Sequence, residues 1–178
     1  MTAAGTSVID PRSDRVVRWR PVPRKPERRR CLRVPTKDSA GSATVADGAS
    51  AVEIRTVATA ALIPTIRAVA SDLAARADFD LDAISDLRMA VDEACATLVD
   101  VAAPGSGLHC TFLVFPERIQ VSAQVMAAAT DTTVSTDTFG WRVLETLADE
   151  VAVEHSADAD GHATVSIVLG KSAGAPSQ

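Results

Sequence analysis

From Leu81 to Val101 the apolar residues fall three or four positions apart: Leu81, Ile84, Leu87, Val91, Ala94, Leu98 and Val101. That interval is the period of an α-helix with one buried stripe. The spacing predicts a helix from Leu81 to about Ala102, opened by Asp80 as N-cap and stopped by "APGSG" at 103–107. So long a stripe must lie against a layer of other elements, and the rest of the chain has to supply that layer.

The flanking segments do so. "VEIRTVAT" (52–59) alternates enough for a strand. Pro64 then sits near a helix start, where its missing N–H costs nothing, and Ile63, Ile66, Val69, Ala70, Leu73 and Ala77 repeat at helical spacing. Asp78 and Asp80 mark the break before the long helix. "LHCTFLVF" (108–115) and "RIQVSAQV" (118–125) read as two strands turning at Pro116 and Glu117, and 126–138 has no period and reads as a loop. "FGWRVLETLADE" (139–150) predicts a third helix with Val143, Leu144 and Leu147 inward. "VAVEHS" and "ATVSIVLG" predict two last strands around the turn "ADADGH". The order β-α-α-β-β-α-β-β predicts an α+β fold: a two-layer sandwich with one mixed or antiparallel sheet and helices on one face.

Charge divides the chain. Residues 1–37 hold 11 Lys/Arg against 3 Asp/Glu, and residues 38–178 hold 7 against 20. The first stretch reads as a basic tail, and "DSAGSATVADGAS" (38–50) as a small-residue linker. With one aromatic and no amphipathic period, residues 1–50 are expected to be a solvated, disordered leader; binding to nucleic acid or membrane phosphates by charge alone is the other reading. Residues 51–170 are expected to form the domain and 171–178 a flexible C-terminus. No apolar run is long enough to cross a membrane, and no apolar signal-peptide core follows the N-terminal arginines. The three cysteines lack CxxC spacing and fit reduced thiols, which places the chain in the cytoplasm.

On the long helix, Glu93 and Thr97 stand one turn apart on one flank, with Asp86 and Asp100 on the same side. A carboxylate followed at i+4 by a hydroxyl can serve a water, a metal or a hydroxyl proton; on spacing alone, a solvated acidic face is the more ordinary account.

"DLRMAVDEACATLV" (86–99) resembles the N-box helix of the GHKL ATPase superfamily, and more narrowly that of the RsbW/SpoIIAB anti-sigma factors, serine kinases that sequester a stress or sporulation sigma factor. "FGWRVLETLADEV" (139–151) is similar to their glycine box and following helix. The resemblance covers about residues 52–169 and is nearest to mycobacterial and actinobacterial inhibitors of sigma F. It implies ATP and Mg²⁺ as cofactors, Glu93 as the general base, Thr97 at the position of the Mg²⁺-holding Asn, Thr138 and Gly140 at the glycine box, and Arg67 as a contact to the sigma factor. It further implies a STAS-domain antagonist as second partner, a homodimer, and no direct binding to nucleic acid or membrane.

The chain departs from that pattern in three places. Thr97 replaces the Asn. The adenine-reading D-x-G-x-G is absent, with Gln124, Val125 and Met126 near the expected Asp, and no Gly occurs between Leu108 and Phe139. Thr138 stands where a second glycine is expected, and Cβ atoms obstruct the close backbone approach a phosphate needs. These departures imply an anti-sigma factor with weak nucleotide chemistry; an active serine kinase acting on the antagonist is the alternative.

Overall fold

The computed structural model describes residues 18–19, 49–157 and 162–174. Most of the tail expected over 1–50, and the last four residues, lie outside these.

Five long strands form one sheet: β2 (Ser50–Val57), β3 (Gly107–Phe115), β4 (Arg118–Met126), β5 (Glu150–Ala157) and β6 (Ala163–Ser172). The two-residue β1 (Arg18–Trp19) pairs with β5 at the sheet edge, giving the order β1-β5-β6-β4-β3-β2. Helices α1 (Ile63–Arg76), α2 (Leu81–Val101) and α3 (Phe139–Leu147) complete the α+β sandwich.

Every pairing is antiparallel, so the mixed sheet allowed by the sequence narrows to one arrangement, and the connections explain why. Two helices, α1 and α2, follow β2 and return the chain to the end it left, so that Val57 faces Gly107 and β3 runs back along β2. A single helix, α3, follows β4 and sets β5 parallel to β4. Those two strands never touch, because β6 inserts between them and runs antiparallel to both.

The long helix ends within a residue of expectation. The Asp80 side chain accepts from the Ala83 N–H at 2.7 Å and caps it. Just before it, Asp78 takes φ 55°, the left-handed region that Asp tolerates better than most residues and that reverses the chain from α1 into α2. Leu87, Ala90, Val91, Ala94, Cys95 and Leu98 are buried against the sheet, where Leu108, Phe112, Val121, Val125, Ile167 and Leu169 meet them.

Helix α3 is shorter than predicted. It stops at Leu147, and Glu150 already begins β5. The Asp149 N–H donates to the Gly170 carbonyl at 2.9 Å and its carboxylate accepts from the Ser172 N–H at 2.8 Å, so sheet pairing outcompetes another helical turn. Its buried residues are Trp141 and Leu144, with Val143 and Leu147 half-buried beside them. Strand β6 runs to Ser172, past the expected start of the flexible C-terminus.

Candidate functional site

Helix α2 lies between α1 and α3, and its two adjacent acids turn opposite ways. Asp92 faces α1. Glu93, 100° further round, faces the first turn of α3. There a Cβ built on Gly140 would collide with the Glu93 carboxylate, with the carboxyl carbon 3.0 Å away. Glycine at 140 therefore lets a carboxylate sit directly against the α3 backbone, at the end where helix N–H groups are unsatisfied and the dipole is positive. The structure thus brings together Glu93 and Gly140, 47 residues apart in the chain.

Thr138 is the N-cap of α3: its hydroxyl accepts from the Trp141 N–H at 3.1 Å. Thr97 lies one turn beyond Glu93 on α2 and is half-buried. Glu93 and Gly140 are thus in contact, with Thr97 one turn along α2 from the first and Thr138 two residues before the second.

Arg67 points elsewhere. From α1 its guanidinium donates to the Asp92 carboxylate at 3.0 Å, with both side chains a little over a third exposed. Among the described residues the second Asp92 oxygen is buried without a partner. Asp92 escaped the sequence reading because a partner 25 positions away leaves no periodic trace.

Position 124, near the expected adenine-reading acid, also points away. Gln124 is exposed on the sheet face opposite the helices, where it hydrogen-bonds His109 at 3.2 Å. His109 Nε2 there lies 3.4 Å from the Glu53 carboxylate and 3.3 Å from the Arg55 guanidinium. Desolvation pushes the Glu53 carboxyl up, but the His109 bond and charge, with Arg55, outweigh it and leave the group below its usual range.

Behind Glu93, Cys95 of α2 and Cys110 of β3 are fully buried with sulfurs 4.0 Å apart. The hydrogen bond between them, then burial, raises the Cys95 thiol far above its ordinary range, as expected for packed rather than reactive sulfur. Among the described residues no group of three or more His, Cys, Asp and Glu is placed to hold a metal, and no helix is long and apolar enough to cross a membrane.

Comparison with known proteins gives the family. Residues 56–168 match the family described as the histidine kinase-like ATPase domain, a span that includes both Glu93 and Gly140. The chain is also 35% identical over 109 residues to the anti-sigma-F factor RsbW of Mycobacterium tuberculosis, in strain CDC 1551 and in strain H37Rv alike. That match covers 61% of this chain and 64% of the relative, just under two thirds of its length.

Proposed function

This chain belongs to the histidine kinase-like ATPase family, and from that premise we propose that it is an anti-sigma factor that sequesters a stress-response sigma factor in the cytoplasm. The 109-residue likeness to the anti-sigma-F factor carries the reading. The chain after the basic stretch, net negative by 13 charges (7 Lys/Arg against 20 Asp/Glu over 38–178), would draw in a basic partner. Arg67, at the edge of the α1 apolar stripe, is the proposed contact, with Asp92 orienting its guanidinium. A STAS-domain antagonist would relieve inhibition, and the working unit would be a homodimer.

The family description implies ATP, and the residues at the site fit it incompletely. When bound, ATP with Mg²⁺ would supply a transferable phosphoryl group; Glu93 stands where a base would accept a hydroxyl proton, and Thr97 where a ligand to Mg²⁺ would be. Against this, the Glu93 carboxylate lies on the one glycine at the α3 start, the turn a phosphate would approach. Thr138 is engaged as a cap, and Gln124 is turned to the far face of the sheet. A carboxylate at a helix N-terminus repels the anion that terminus would otherwise attract. These observations support sigma-factor binding without nucleotide, and phosphoryl transfer that is slow or absent.

In vitro transcription tests the proposal. Adding the purified chain should silence RNA polymerase carrying its stress sigma factor and leave the housekeeping holoenzyme active; undiminished stress transcription at excess chain would refute it. The alternative, an active serine kinase, is favoured only by Glu93 keeping a base's position. Strong transfer of label from radioactive ATP to the antagonist, abolished in Glu93→Gln, would establish it instead.

A further inference from the structure

Lys171 is the buried cation among the described residues. It extends from the inner face of β6, in the alternating row Val165, Ile167 and Leu169, and its side chain is 8% exposed. Its ammonium donates to the Asp86 carboxylate on α2 at 2.6 Å and to the carbonyl of Leu147, the last residue of α3, at 2.9 Å. That carbonyl is one of the acceptors a helix leaves unsatisfied at its negative end, and α3 has no basic residue of its own in its last turn. One side chain thus ties together a strand and two helices.

The second tie lies at the other end of α3, where Gly140 meets Glu93. Asp86 and Glu93 are seven residues apart on α2, and Gly140 and Leu147 are seven apart on α3. The pairs match in antiparallel sense, Asp86 beside Leu147 and Glu93 beside Gly140, about 10 Å apart at 1.5 Å per residue. Between them α3 buries Trp141 and Leu144, whose apolar contacts are not directional; beyond Leu147, Asp149 ties the chain to Gly170 and Ser172 of β6, and Lys171, set between those two residues, carries that attachment across to α2.

An ion pair with one buried partner, here Lys171 against an Asp86 that is 34% exposed, is weak evidence for stability, because desolvation offsets part of the attraction; the best-attested use of such pairs is to fix register. We infer that Lys171 and Asp86 are positioning residues that fix the register of α3 along α2 and so set Gly140 against the Glu93 carboxylate. The inference rests on packing alone and does not depend on the anti-sigma reading.

The test uses the full ¹⁵N-labelled chain. The Gly140 amide signal should change with pH, and this response should vanish in Glu93→Gln. In the double variant Asp86→Leu with Lys171→Met, which replaces the pair by apolar groups of similar size, melting should be little changed while the Gly140 response to Glu93 disappears. A folded double variant whose Gly140 signal follows Glu93 as in the wild type overturns the inference, as does a wild-type Gly140 signal indifferent to Glu93. Should the double variant not fold, Asp86→Asn keeps volume and one acceptor: a weakened Gly140 response supports the register role, and a full-strength one overturns it.

Discussion

Glycine at 140 and glutamate at 93 show how a single missing methyl decides what an adjacent side chain can do. Gly140→Ala would place its Cβ on the Glu93 carboxylate, but the obstructed atom is the far end of a flexible side chain. Glu93 is expected to swing aside, and the loss should be offset by the higher helix propensity of Ala, about 1 kcal/mol. Melting should therefore stay within about 1 kcal/mol of wild type; a loss of several would mean that Glu93 has nowhere else to go. Arg67→Ala should weaken sigma-factor binding by about 1–3 kcal/mol while costing the free protein little, since a half-exposed ion pair contributes roughly 0–1 kcal/mol. Measuring dissociation constants for Arg67→Ala beside Asp92→Asn separates a direct contact from an orienting pair, and an unchanged constant in both removes Arg67 from the interface. In a Cys31→Ser background, the Cys95 and Cys110 thiols should resist alkylation until the chain is unfolded; rapid labelling of the native protein would contradict their packed geometry. Glu93 and Gly140 were both legible in sequence through the family pattern. Lys171 left one trace, a lone charge closing an apolar strand, "VSIVLGK". Nothing local marks Asp92 as the partner of Arg67, because their meeting depends on how two helices pack.

Among the elements, periodicity revealed what one element could specify alone. The α2 stripe through Leu87, Val91, Ala94 and Leu98, its Asp80 cap and the two-residue turn at Pro116 and Glu117 are local, and the structure reproduces them; Leu81, expected at the head of the stripe, is instead 83% exposed, because the start of α2 projects past the layer that covers the rest. The end of α3 was not local. "LADE" continues a helical pattern, yet Asp149 and Glu150 pair with β6, a competition visible only once the sheet exists. The start of α3 rests on one hydroxyl. Thr138→Ala removes the acceptor for the Trp141 N–H and should cost about 1 kcal/mol, read as a lower denaturant midpoint at unchanged slope. Thr138→Ser should restore most of it. If Thr138→Ala is neutral, the cap is supplied by another group.

For the molecule as a whole, the fold class could be read from the order of elements, and the strand order could not. That β6 inserts between β5 and β4, making every neighbour antiparallel, follows from where α3 delivers β5, a three-dimensional outcome with no residue of its own. The basic N-terminal stretch and the rest of the chain carry opposite net charges, +8 (11 less 3) over 1–37 and −13 (7 less 20) over 38–178. Removing residues 1–48 takes away the two-residue pairing at β5 and, among the described residues, none of the core cluster. Thermal melting should therefore change little, and a large fall would show that the stretch packs on the domain. The central claim, an anti-sigma factor that works without nucleotide, is tested most directly by calorimetric titration of the stress sigma factor into the full chain, with and without MgATP. The account predicts saturable binding with a dissociation constant that MgATP leaves unchanged. Absence of binding, or binding that appears only when MgATP is present, would contradict it.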